Sequence, residues 1–283
     1  MGYNTKIDWC DTSWNPVTGC LHGCEYCYAR GIANRFGGDM EERKIIPPRS
    51  DIEAMNEPIR TCRAVIHDLE KPWVVRSKKD GSPKVSPYPF NFDPTLHRYR
   101  LNQPKEWTEP RTIFVCSMAD LFGSWVPDEW IKEVFDACRA APQHRYLFLT
   151  KNPNRYDQLE DAGLITPKDR NFWLGSTVTD LNRDRLHWSR SLYTFMSCEP
   201  MLAPWNPAGK PNEKYRGGWP KWVIFGAETG NRKDKVVPKK EWIDNAVQMC
   251  RNIGAAVFMK ESLRGIMGDD FVQEFPWGFR SNG

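Results

Sequence analysis

An α/β fold, built as a complete or partial (β/α) TIM-type barrel of parallel strands, is the architecture to which this 283-residue chain points. Two observations carry that expectation. Apolar runs of strand length recur at Thr112–Ser117, Arg145–Thr150, Phe172–Val178, Tyr193–Cys198, Trp222–Gly226 and Ala255–Lys260, and helical patterns separate most of them. Strands that are apolar throughout, rather than alternating, are covered on both faces, as in a parallel sheet between helices. Length agrees, because one barrel of this kind takes about 250 residues. A single domain over 1–283 is therefore expected, with a basic hairpin inserted near 73–86 and a Pro/Gly-rich loop near 201–221.

Ser13–Val17 reads as the first strand. Glu25–Phe36 has helical composition and is closed by Gly37-Gly38, a C-cap signal. Asp51–Leu69 is expected to be helical. Asp80-Gly81 between two β-rich runs predicts the hairpin. Pro87–Phe92 reads as a second barrel strand and Pro94–Arg100 as a helix, which brings the candidate strands to eight. Pro127–Ala141 has Pro near N1 and places Trp130, Ile131, Val134, Phe135 and Cys138 on one helical face. Asn152–Ala162, Asp180–Ser191 and Lys239–Arg251 are the other helices. The connection 201–221 contains Pro204, Pro207, Pro211 and Pro220 and suits a lid over the barrel mouth.

Hydrophobic residues make up 40% of the chain, enough for a sizeable core, and the net charge of +4 is only mildly basic. No apolar run approaches the ~20 residues that span a bilayer, and no apolar segment follows the N-terminus. Cys62, Cys116, Cys138, Cys198 and Cys250 lie scattered in apolar contexts and read as reduced, buried thiols. A cytoplasmic protein without membrane attachment is expected.

The stretch from Thr18 to Tyr28 puts Cys20, Cys24 and Cys27 at C-x3-C-x2-C spacing, with Gly19 and Gly23 supplying backbone freedom for a tight wrap. Thiolates are soft ligands that suit iron–sulfur clusters and zinc. Three outcomes are open. A zinc site needs a fourth protein ligand, which would be His22 or Cys10. A three-thiolate [4Fe–4S] cluster leaves one iron open for chemistry. The third outcome is three unliganded thiols.

Cys20-x3-Cys24-x-Tyr26-Cys27, with Tyr28 following, resembles the signature of the radical S-adenosylmethionine (SAM) superfamily, and its ending is similar to the branch containing spore photoproduct lyase. Trp14-Asn15-Pro16, Ser117–Phe122, Leu149–Pro153, Ser197–Pro200 and Gly226–Gly230 resemble a phage- and prophage-associated radical-SAM-like family over about Trp9–Lys260. Gly226-Ala227-Glu228 departs from that pattern in having Ala rather than a second Gly.

The resemblance implies a radical SAM barrel in which Cys20, Cys24 and Cys27 hold a [4Fe–4S] cluster. SAM binds the open iron and is cleaved to a 5′-deoxyadenosyl radical. A flavodoxin- or ferredoxin-type electron donor is the implied partner. Tyr26 would lie beside the cluster and adenine. Ser117, Thr150, Ser176 and Glu199 are candidates for the ribose and methionine ends of SAM, and Gly226 for space beside adenine. Lys151 and Lys260 are cations suited to a substrate carboxylate or phosphate. Glu228 is a candidate substrate ligand or, alternatively, a cap on the Thr229-Gly230 turn.

Between Lys71 and Arg111 nine basic residues face four acidic ones, interleaved with aromatics including Trp73, Tyr88, Phe90, Phe92 and Tyr99. Cations that take phosphate beside rings that stack bases suit a nucleic acid. The alternative is a solvated hairpin plus core aromatics. The function expected is therefore a radical SAM enzyme acting on a nucleic acid or nucleotide. Two other classes stand beside it: a non-catalytic nucleic-acid-binding protein with a structural Fe–S or zinc site, and a radical enzyme acting on a peptide or partner protein.

Overall fold

The computed structural model describes residues 5–37, 65–77, 79–181, 184–187, 189, 191–205, 220–230, 232–276 and 278–279. In chain order the described strands are β1 (Thr12–Trp14), β2 (Val17–Thr18), β3 (His67–Leu69), β4 (Val74–Arg76), β5 (Pro83–Val85), β6 (Thr95–His97), β7 (Thr112–Val115), β8 (Arg145–Thr150), β9 (Phe172–Thr177), β10 (Tyr193–Cys198), β11 (Trp222–Phe225) and β12 (Ala256–Met259). The α-helices are α1 (Tyr28–Phe36), α2 (Gln103–Glu106), α3 (Asp128–Arg139), α4 (Asn154–Asp161), α5 (Lys240–Asn252) and α6 (Arg264–Met267).

The chain forms two compact units. One comprises Met1–Ser13, Pro110–Phe114 and Pro142–Gly283; the other comprises Trp14–Glu109 and Val115–Ala141. The first is built on a seven-stranded sheet in the order β1-β7-β8-β9-β10-β11-β12. From β8 to β12 each strand runs parallel to the next. β1 and β12 end the order, which makes this the partial form of the expected barrel.

Both faces of the sheet are covered, as the unbroken apolar runs require. On β11, Val223 and Phe225 pack with Met196, Val257 and Met259 against Ile243, Ala246 and Cys250 of α5. Trp222 and Ile224 point to the other face and pack with Trp9, Phe114, Leu147, Phe195 and Phe258. All four β11 residues are fully buried, and each such side chain contributes about 1.5–3 kcal/mol relative to exposure. Among the described residues no helix is long and apolar enough to cross a membrane.

The second unit holds a three-stranded sheet, β2-β6-β3, and the two-stranded hairpin β4-β5. The hairpin is the one expected: Val74, Val75 and Arg76 pair with Val85, Lys84 and Pro83, and Gly81 turns at φ +71°.

Several expectations are corrected. The first strand splits into β1 and β2. Pro87–Phe92 is a turn rather than a barrel strand: the Asn91 amide donates to Tyr88 O (3.1 Å), the Asp93 amide donates to Phe90 O (3.1 Å), and Asn91 takes φ 52°. Asn tolerates that left-handed conformation, while two prolines remove ladder donors. Pro94–Arg100 is not an α-helix; β6 occupies its first half, pairing β2 antiparallel and β3 parallel, and a 3₁₀ turn follows at Arg98–Arg100.

Asp180–Ser191 forms no helix among its described residues. The Asp184 carboxylate accepts from the amides of Thr179 and Asp180 (2.6 and 3.0 Å) and from Thr179 Oγ1 (2.9 Å), the local bonding by which Asp competes with a helix. Gly37 closes α1 in an extended conformation rather than a left-handed cap. The expected helix at Asp51–Leu69 and the lid at 201–221 lie largely outside the described residues, and the former's C-terminal end is β3.

Candidate functional site

The cysteine loop lies in the second unit and is pinned at both ends by backbone. At its entry the Gly19 amide donates to Met118 O (2.9 Å) and the Cys20 amide to Phe92 O (3.1 Å). Gly19 sits at φ +88°, and a Cβ there would stand 2.2 Å from Asp93 O. At its exit the Cys27 amide donates to Cys24 O (3.2 Å). Cys27 is the N-cap of α1, its Sγ accepting from the Arg30 amide (3.4 Å). A helix N-terminus favours negative charge, so this is a good seat for a thiolate. Arg30 reaches back to Cys20 O (3.2 Å) and lies over the Phe92 ring (5.1 Å).

Exposure separates the cysteines. Cys20, Cys24 and Cys27 are half-buried, whereas Cys10, Cys116, Cys138, Cys198 and Cys250 are buried. Cys62 lies outside the described residues. Burial pushes the Cys20 thiol up to about 12, against a lowering hydrogen bond from the His22 backbone. The three sulfurs do not all lie within 4.8 Å of one another, whereas tetrahedral zinc with Zn–S of about 2.3 Å needs sulfurs roughly 3.8 Å apart. His22 Nε2 meets Asp120 Oδ2 at 2.7 Å, and Cys10 is buried in the sheet core with Trp9 and Phe114.

The motifs flanking the loop in sequence and far from it converge on it. Asn15 Oδ1 accepts from Ser117 Oγ (3.2 Å) and from the Met118 amide (2.9 Å). Tyr28 donates to Ser117 O (2.9 Å). Asp120 is buried and also accepts from the Phe122 amide (3.0 Å), while the His22 ring stands edge-on to Trp125 at 4.9 Å. Tyr26 is half-buried within the loop. Ser117, expected as a SAM contact, thus buttresses the loop through its bond to Asn15. Asn15, Tyr28 and Arg30 are the residues that sequence reasoning missed; the Trp-Asn-Pro triplet was the available signal for the first.

In the first unit the strand ends hold the other candidates. Glu199 follows β10 and forms an ion pair through Oε1 with Lys260 after β12. Gly226 lies against them: a Cβ there would sit 3.0 Å from Glu199 Cγ and 3.3 Å from Lys260 Cδ. These three are brought together as one group. Thr150 is buried and its Oγ1 accepts from the Asn152 amide (2.8 Å); Ser176 is buried and its Oγ accepts from the His187 amide (3.0 Å). Both hydroxyls therefore serve local backbone. Lys151 is half-buried beside Thr150.

Glu228 is buried and forked by Arg232, at 2.7 Å to Nε and 2.8 Å to Nη2. That guanidinium holds its carboxyl below the usual range. Glu228 is thus committed to an ion pair that sequence reasoning had not assigned.

The basic segment divides in two. Arg98 forks Glu133 (2.8 and 2.9 Å) and also meets Asp68 and Glu70. Arg100 donates to Asn15 O (3.0 Å) and Pro87 O (3.3 Å), and Phe90 and Phe92 are core. Arg76, Lys79 and Lys84 stand out into solvent on the hairpin, and Lys71 and Lys105 are exposed outside it.

A family described as a protein of unknown function (DUF5131) matches residues 4–265, and the chain belongs to that family. No curated protein and no solved structure matches it.

Proposed function

We propose that this DUF5131 member is a radical SAM enzyme whose loop Cys20, Cys24 and Cys27 holds a [4Fe–4S] cluster, with a nucleic acid or nucleotide as the substrate class. The observation that carries the reading is the segregation of thiols. Every described cysteine outside the motif is buried, while the three in the motif are half-buried on one pinned loop. Reductive cleavage of SAM to a 5′-deoxyadenosyl radical is the chemistry this pair of cofactors supplies when bound.

The chain's own residues have separate tasks. Cys27 offers its sulfur where the α1 N-terminus favours negative charge. Asn15, His22 with Asp120, and Arg30 keep the loop from collapsing when the thiols are unliganded. Glu199 supplies a carboxylate for the polar ends of SAM, Lys260 balances its charge, and Gly226, having no side chain, lets that pair lie against the strand end. A flavodoxin- or ferredoxin-type protein delivers the electron.

Anaerobically reconstituted protein, reduced with dithionite and given SAM, is expected to release 5′-deoxyadenosine, and SAM is expected to shift the electron paramagnetic resonance spectrum of the reduced protein. Glu199→Ala should weaken SAM binding more than Glu261→Ala, since Glu261 is an exposed partner of Arg264. A fully loaded cluster showing neither effect would replace this reading with that of a binding protein whose Fe–S or zinc site is structural.

The substrate class rests on the exposed hairpin. Changing Arg76, Lys79 and Lys84 to Ser should weaken nucleic-acid binding without loss of iron. Each lost phosphate contact should reduce the slope of log affinity against log salt by about 0.7–0.9, measured by fluorescence anisotropy across a salt series. SAM cleavage without salt-sensitive nucleic-acid binding would move the substrate to a peptide or partner protein.

A further inference from the structure

A second constellation lies in the first unit, beside Ser176 at the end of β9. Helix α4 carries Asp157 and Glu160 three residues apart, which places them on one helical face. His187, from the connection between β9 and β10, lays its ring against that face. Its amide is held by Ser176 Oγ (3.0 Å), and its ring contacts Tyr156 with centroids 4.9 Å apart. Ligand atoms of Asp157, Glu160 and His187 all lie within 4.8 Å of one another.

The imidazole supplies the second, independent observation. The His187 side chain is fully buried. Nδ1 lies 3.0 Å from Asp157 Oδ1. Nε2 is buried without a hydrogen-bond partner, and Glu160 Oε1 stands 3.7 Å from it, beyond hydrogen-bonding range. Buried polar atoms are normally satisfied, so an orphan of this kind calls for a missing partner.

The geometry describes the partner. A metal-binding histidine commonly gives its other ring N–H to a carboxylate, which is the relation of Nδ1 to Asp157. That leaves the Nε2 lone pair aimed into the gap beside Glu160. With metal–N and metal–O bonds of about 2.0–2.2 Å, two ligands 3.7 Å apart subtend a wide angle at one shared ion. Ser189 Oγ donates to Glu160 Oε1 (2.7 Å) and orients that carboxylate. The Glu160 side chain is 26% exposed, so water can reach the gap and complete the coordination. Imidazole nitrogen with carboxylate oxygen and no thiolate suits a first-row divalent cation such as Mn²⁺ or Zn²⁺.

We infer that His187 Nε2 and Glu160, with Asp157 orienting the imidazole, bind one first-row divalent cation that pins α4 to the β9–β10 connection. The site uses none of the cysteines, so it stands or falls independently of the radical SAM reading.

The test titrates Mn²⁺ into the full chain and follows loss of the free-ion electron paramagnetic resonance signal; Mn²⁺ is chosen because thiolates compete for it weakly. One ion per chain is expected, with a rise in melting temperature. Glu160→Gln keeps the side chain's shape and its acceptor for Ser189, and should weaken binding by about tenfold or more. Asp157→Asn should weaken it about 10–100-fold, the usual effect of losing an outer-shell partner. Both variants leave the buried ring in place, which His187→Ala does not. Absence of binding at millimolar Mn²⁺, or affinity unchanged in both variants, overturns the site.

Discussion

Cys20→Ala, Cys24→Ala and Cys27→Ala are each expected to abolish iron and sulfide loading, whereas Cys138→Ala is expected to leave it intact. The contrast follows from position. The three loop cysteines are half-buried together on one loop, while Cys138 is fully buried on α3. A cluster held by three thiolates loses a corner with any one of them, so the effect is complete rather than graded. At Cys138 the loss is confined to the buried face of α3, and removing one buried sulfur costs a fraction of the 5–15 kcal/mol by which a domain is stable. Iron and labile sulfide per chain, measured after oxygen-free reconstitution, should be about four each in the parent and in Cys138→Ala. Stoichiometric zinc without sulfide in the parent, or equal loss in Cys138→Ala, would defeat the assignment.

The parts of this fold that were legible in the sequence are those whose signal is local. β8 and β10 begin and end where their apolar runs do, and β7, β9, β11 and β12 differ by one or two residues at their ends, because a strand buried on both faces carries its pattern in itself. The region from Pro87 to Arg100 misled because Phe90 and Phe92 are apolar for a different reason: they are core residues on turns, and the Phe90 ring stacks on His67 at 3.6 Å. The 180–191 connection misled because one carboxylate, Asp184, satisfies three local donors.

The candidate site divides along the same line. The C-x3-C-x2-C spacing was legible because it needs no distant residue. The partners that brace the loop were not. Asn15 meets Ser117 across 102 positions and His22 meets Asp120 across 98, separations that no local pattern encodes. Arg98 and Arg100 counted as surface cations in the sequence, yet acids and carbonyls elsewhere in the chain consume both. Glu228 with Arg232 is an i,i+4 pair that went unread because the segment is not helical. The orphaned Nε2 of His187 is visible only once the ring has been buried.

Gly19→Ala is expected to be the most damaging single substitution outside the cysteines, and Gly23→Ala is its matched control. Both glycines have left-handed backbone, at φ +88° and +70°, so both variants carry the left-handed penalty of roughly 1–2 kcal/mol. They differ in space. A Cβ at Gly23 meets nothing within 4 Å, whereas at Gly19 it stands 2.2 Å from Asp93 O, 2.4 Å from Asp93 C and 2.7 Å from Pro94 N. Those are backbone atoms, and they cannot rotate away. Relief requires Gly19 to retreat from the segment that pairs with it, which strains the bond from its amide to Met118 O and the next one from Cys20 to Phe92 O. Overpacking of this sort costs about 1–3 kcal/mol, and here the displaced residue is the first ligand of the loop. Gly19→Ala should therefore lower the melting temperature well below that of Gly23→Ala and lose most of its iron, while Gly23→Ala retains iron. Equal loss of iron and stability in the two variants would show that backbone conformation alone, and not the close approach of Asp93, sets the position of Cys20.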